Sequence, residues 1–190
     1  MNPITALART LAVACAMLLN IATTADAAPL SSRADAVLAD APKATWIVEG
    51  QGARVVYVFF DPNCPSCQLL YKNLRSFIGS HDLQLRWIPV AVVDATSLGK
   101  AAAILQAPDP LTALRRNEEH YDAQTYAGGI AEDIPSAETE RKLGANERLL
   151  NGLDIPVVPS MLFAGKAGRA ILIQGALSPL ALRKVFARLP

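Results

Sequence analysis

Arg54-Val55-Val56-Tyr57-Val58-Phe59-Phe60-Asp61-Pro62-Asn63-Cys64-Pro65-Ser66-Cys67 is the stretch that decides the fold. Its first seven residues are β-branched, aromatic or apolar almost without a break, as in a strand covered on both faces. From Cys64 the pattern changes. Cys67, Leu70, Tyr71, Leu74, Phe77 and Ile78 recur at helical spacing, with Lys72, Asn73, Arg75 and Ser76 on the other side. A strand therefore feeds a helix over residues 64–80, and the helix N-terminus carries both cysteines. Residues 83–93 supply a further strand, so strand, helix and strand predict a right-handed crossover between parallel strands. The chain reads as α/β.

Working outward, Trp46-Ile47-Val48 reads as a short strand, and residues 31–41 as a short helix capped by Ser31 or Ser32. Beyond the crossover, residues 101–107, 111–126 and 137–150 read as helices, divided by Pro108-Asp109-Pro110 and by Gly128-Gly129 with Pro135. They form a helical insertion of about residues 95–152. Strands return at 157–164 and 169–174, joined across Gly165-Lys166-Ala167-Gly168, whose glycines suit a hairpin turn. A last helix follows Ser178-Pro179, an N-cap with proline at the first helical position, and runs to about residue 189.

The 190 residues suit one globular domain able to bury its core without a disulfide or metal staple. Lys and Arg are scattered among Asp and Glu at a formal net charge of +1, so no basic stripe offers itself to nucleic acid. Residues 1–27 are set apart. Arg9 and the N-terminal amine precede an apolar run, residues 11–21, too short to span a bilayer, and Ala25-Asp26-Ala27 is an A-x-A cleavage pattern. A cleaved signal and export to the periplasm are expected, leaving 28–45 as a short extension and 46–190 as the main domain. Cys15 lies in the apolar run; a lipoprotein anchor there competes, but Ala12-Val13-Ala14 is a poor lipobox. Cys64 and Cys67 remain, in a compartment where disulfides form.

A bond across two intervening residues closes a tiny loop and stabilises little, so the pair points to chemistry. Thiolate is the nucleophile in disulfide exchange, and a reactive cysteine is partly exposed with a lowered pKa. At the first helical turn Cys64 meets unpaired N–H groups and the positive end of the helix dipole. Pro65 is tolerated there, because its missing N–H and fixed φ suit a helix opening, and Ser66 completes the motif. Cys67 falls on the stripe of Leu70 and Leu74 and is expected to be sheltered. Cys64 is thus read as the attacking thiol and Cys67 as the resolving thiol. Metal is the main alternative for C-x-x-C. A closed zinc site needs four ligands, and only His81 and His120 remain to complete it; each suits a loop or solvated helix position better. Two thiolates also suit Cu(I). Pro159, in Val157-Val158-Pro159-Ser160, either simply opens a strand or carries a cis bond after Val158 that sets a backbone edge beside Cys64.

These residues resemble the periplasmic disulfide-bond proteins of the DsbG and DsbC branch of the thioredoxin superfamily. The likeness rests on residues 57–67, on Ala101-Ala102-Ala103-Ile104-Leu105 before Asp109-Pro110, and on Asn146-Glu147-Arg148-Leu149-Leu150 ahead of Pro159. It implies a thioredoxin-like fold with a helical insertion, Cys64 as nucleophile, Cys67 as resolving thiol, and Val158-Pro159 as the cis-proline edge that meets substrate. It also implies reduction or isomerisation of disulfides in exported proteins, including those with oxidised cysteines. No cofactor is implied, and the expected redox partner is of the membrane thiol reductase type. Three features depart from the family. Residues 28–45 offer no dimerisation domain, so a monomer is expected. Val158 stands where that branch commonly has threonine. Val58 occupies the position of thioredoxin's buried acid, which leaves Glu49 and Asp61 as candidate proton acceptors for Cys67. Two other readings stand beside the redox one: an exported copper- or zinc-binding protein, and a docking module for a secretion or conjugation system.

Overall fold

The computed structural model describes residues 30–166, 168–187 and 189. The expected signal, residues 1–27 with Cys15, lies outside them. Strand β1 (Ile47–Glu49) is followed by β2 (Arg54–Phe60), helix α2 (Pro65–Leu74) and β3 (Leu83–Pro89); α1 (Leu30–Asp40) precedes them. Helices α3 (Ser97–Gln106), α4 (Pro110–Glu119) and α5 (Ala137–Leu150) come next, then β4 (Ser160–Ala164), β5 (Ala170–Gln174) and α6 (Pro179–Phe186). The sheet runs β1-β3-β2-β4-β5. β2 and β3 are parallel, as the crossover requires, while β1, β4 and β5 pair antiparallel with their neighbours.

Side chains alternate across β2, and this divides the core. Val56, Val58 and Phe60 join Leu85, Trp87, Met161 and Phe163 against Leu70 and Leu74 of α2, Leu114 of α4 and Leu182 of α6. Tyr57 and Phe59 face the other way, joining Ile88 and Leu162 against Val37 of α1 and Leu150 of α5. Both faces of β2 are covered, which accounts for its unbroken apolar run.

Several boundaries differ from the sequence reading: α3 starts at Ser97 rather than residue 101, α6 ends at Phe186 rather than near 189, and four more have a visible local cause. The helix expected over 111–126 stops at Glu119, where the Asp122 carboxylate accepts from the N–H groups of Gln124 and Thr125 and holds a turn. The helix expected over 64–80 ends at Leu74 in a 3-10 turn, Arg75–Phe77, before Gly79 at φ +79. β3 stops at Pro89 because the N–H groups of Val92 and Val93 bind the Asp61 carboxylate. β4 begins at Ser160, not residue 157: Pro159 has no N–H, and the Val157 carbonyl accepts from Ser160 Oγ. No helix among the described residues is long and apolar enough to cross a membrane.

Candidate active site

Cys64 is the N-cap of α2, with extended backbone at φ −81 and ψ 116, and Pro65 opens the helix. Its sulfur accepts the Cys67 backbone N–H at 3.2 Å, the bond a capping side chain makes with an otherwise unpaired helical donor. The same thiol lies 3.7 Å from the Val158 carbonyl, to which it donates, and the Val158–Pro159 bond is cis. Pro65 and Ser66 are exposed, and both cysteines are free thiols. The structure thus brings Cys64, Cys67 and Val158-Pro159 together.

The two cysteines differ less in exposure than the sequence reading expects, since residue Cys64 is 5% accessible and Cys67 1%, and both are buried. Their electrostatics separate them further. The Cys67 thiol, followed by the Cys67 and Ser66 backbone N–H groups, favours a charge on Cys64 and lowers its pKa, against burial and the nearby Asp61. Cys67 goes the other way: burial, and then its neighbour Cys64, push its thiol well up.

A knot of hydrogen bonds fixes the turn ahead of Cys64. Asn63 donates through Nδ2 to Asp94 Oδ1 at 2.9 Å and Thr96 Oγ1 at 2.7 Å, and its Oδ1 accepts the Gly128 N–H at 3.0 Å. Tyr121 Oη donates to the Asn63 carbonyl, and Asn117 Nδ2 to that of Pro62. The buried Lys100 reaches the Gly128 carbonyl at 2.6 Å. A side chain at Gly128 would run into Asn117 Oδ1 and the Pro62 carbonyl, so this close approach requires glycine.

Neither acid considered as a proton acceptor is free for the task. Glu49 is saturated by Arg75 (2.6 Å on each oxygen), Arg115 Nε at 2.9 Å and Trp87 Nε1 at 3.0 Å. Burial works against its charge, but these donors hold it below the ordinary value. Asp61 accepts four bonds, from the N–H groups of Asn63, Val92 and Val93 and from Ser97 Oγ. A third acid, which the sequence reading passed over, is Glu118. It is 2% accessible, and burial lifts its carboxyl to about 8, against an Asn117 hydrogen bond, with the charge of Cys64 pushing the same way as burial. A signal for it existed: Leu114 and Glu118 are four residues apart, so the acid falls on the buried stripe of α4. His81 packs at a tilt against Phe77, and the exposed His120 contacts the Arg116 carbonyl. Among the described residues no group of three or more His, Cys, Asp and Glu lies together as a metal-holding set.

A sheet of this order, with a cysteine pair opening the helix after its central strand and a cis-proline beside it, defines a class: the chain belongs to the thioredoxin-like domain family, which matches residues 41–190. Within that class it is 33% identical over 139 residues to the thiol:disulfide interchange protein DsbG of Pseudomonas aeruginosa, covering 72% of this chain and 53% of that protein. It is 32% identical over 126 residues to the DsbG of Escherichia coli K12, covering 64% and 48%. The chain spans about half the length of these curated relatives. Among solved structures, Proteus mirabilis ScsC in a transitional conformation superposes with a TM-score of 0.66 at 17% identity, over 82% of this chain and 77% of that one.

Proposed function

We propose that the chain is a thiol-disulfide oxidoreductase that exchanges disulfides with exported proteins in the periplasm. The observation that carries this is the placement of the pair. The Cys64 sulfur caps α2, accepting the Cys67 N–H at 3.2 Å and lying 3.7 Å from the Val158 carbonyl, while Cys67 is buried in the core. Charge is therefore favoured on Cys64 and not on Cys67. In the reducing direction the Cys64 thiolate attacks one sulfur of a substrate disulfide. A Cys64–substrate bond forms, and the electron pair of the broken bond leaves on the other substrate sulfur. Cys67, once deprotonated, attacks Cys64 and releases the second substrate sulfur as a thiolate. The substrate gains two electrons and the cysteine pair loses two, so a reductant protein must restore the dithiol, a task for a membrane thiol reductase. Val158 and Pro159 line the approach, with the Val158 carbonyl beside the nucleophile as the edge on which substrate backbone would lie. The relatives are named for thiol:disulfide interchange, and reduction or isomerisation rather than net oxidation is the direction that the resemblance to the DsbG and DsbC branch implies.

Cys64→Ser should abolish turnover of a disulfide substrate. Cys67→Ser should accumulate mixed disulfides through Cys64, visible as mass adducts removed by reductant. Unchanged turnover in Cys64→Ser would refute the mechanism.

A further inference from the structure

The resolving step needs a base, because Cys67 is buried and its thiol is held protonated. We infer that Glu118, on α4, is the proton acceptor that deprotonates Cys67 when it attacks the mixed disulfide. This rests on the roles proposed above for the two cysteines.

The geometry favours this acid over every other one considered. Its Oε1 accepts from Asn117 Nδ2 at 3.1 Å, while Oε2 is buried with no hydrogen-bond partner among the described residues. A buried carboxylate oxygen without a donor is costly unless a proton sits there for part of the cycle. α4 packs against α2, and Gln68, the residue after Cys67, reaches the Glu118 carbonyl at 3.5 Å. The charged and titratable groups close enough for their charge to couple with Glu118 are Cys64 and Cys67 at the start of α2, Asp61 in the preceding loop, Arg75 beyond the end of α2, and Tyr121 just past α4. Of these only Arg75 favours the carboxylate, and it is already paired with Glu49.

The cycle then sets the timing. In the dithiol the Cys64 charge holds the Glu118 proton on. When Cys64 enters a mixed disulfide that charge disappears, and the carboxyl ionises more easily. The Glu118 carboxylate takes the Cys67 proton, the Cys67 electron pair forms the bond to Cys64, and the Cys64–substrate bond breaks with its pair leaving on the substrate sulfur. The acid ends protonated and passes its proton to solvent or to the departing thiolate.

Reaction of the reduced protein with an aromatic disulfide reagent that releases a coloured thiolate separates the two steps. The first equivalent reports Cys64 attack and the second reports Cys67 resolution. In Glu118→Gln the first equivalent should appear within about twofold of the wild-type rate, and the second should slow on the order of 10²-fold at pH 7. The pH profile of the second phase should move up toward that of Cys67 alone. Equal second-phase rates and profiles in the two proteins would overturn the inference and leave the exchange reading standing. Absence of the first equivalent in the wild type would remove both. Should the variant fold poorly, carbon-13 carboxyl titration of glutamate-labelled wild type tests the same point. One carboxyl should titrate at about 8 in the dithiol and lower once Cys64 is alkylated; a carboxyl indifferent to alkylation would overturn the inference.

Discussion

A thiolate at Cys64 is held by three donors from two residues within one helical turn, Ser66 and Cys67, and the largest contribution is the thiol of Cys67. Replacing Cys67 with alanine removes that donor while keeping the Cys67 backbone N–H in place. A hydrogen bond to a charged group stabilises that charge, so the Cys64 pKa should rise when it is lost. The pH dependence of iodoacetamide alkylation would show it; an unmoved midpoint would mean that the helix terminus acts alone. The cysteine roles were legible in the sequence because their logic is local: cap, proline, then a stripe three residues on. Glu118 was not. Asn117-Glu118-Glu119-His120 reads as a solvated helix end, and Glu119 is indeed exposed, accepting from Tyr71 Oη. Which of two adjacent acids turns inward depends on how α4 is rotated against α2; the four-residue spacing from Leu114 points to Glu118, but the polar run around it masks that signal.

At the scale of elements, Glu49 ties three pieces together: β1 carries it, Arg75 follows α2, and Arg115 lies on α4. The glutamate side chain is 0% accessible, while the two arginines are 31% and 44% accessible and keep contact with water. Arg75 also lies over the Tyr71 ring at 3.8 Å. Glu49→Gln should lower stability by roughly 2 kcal/mol at pH 7, less than a fully buried pair would cost, because the arginines can rehydrate. The Glu49 pKa is lowered in the fold, so its contribution is present above the ordinary value of 4.5 and is lost as pH falls through the folded value. The stability gap between wild type and variant in urea denaturation should therefore narrow as pH falls below 4.5; a gap that does not change with pH would assign the loss to packing. The strands and helices that form this frame were mostly readable from periodicity, and β2 and α5 match the sequence reading to the residue. Of the misjudged ends, those at Leu74, Pro89, Glu119 and Ser160 are places where Asp61, Asp122, Ser160, Gly79 or Pro159 redirects the backbone, and periodicity carries no record of that.

Across the whole molecule, a buried acid near the cysteines should leave a mark on stability. Glu118 has its pKa raised in the fold, from 4.5 to about 8, so the folded state favours its protonated form. That contribution is fully present below the ordinary value and is lost as pH rises through the folded one. Glu118→Gln and wild type should thus be of similar stability near pH 4, and the variant should be the more stable by on the order of a few kcal/mol at pH 9. Thermal melts at the two pH values would check this, and an unchanging difference would place the Glu118 pKa in the ordinary range. The Asn63 knot has its own consequence for how the molecule can be watched. Gly128 lies far along the chain from the cysteine motif, yet its N–H ends on the side chain adjoining Cys64. The exchange of that single amide with deuterium is governed by how firmly the active-site loop is shut, so its protection registers order at the reactive thiol without a substrate or a label on the sulfur.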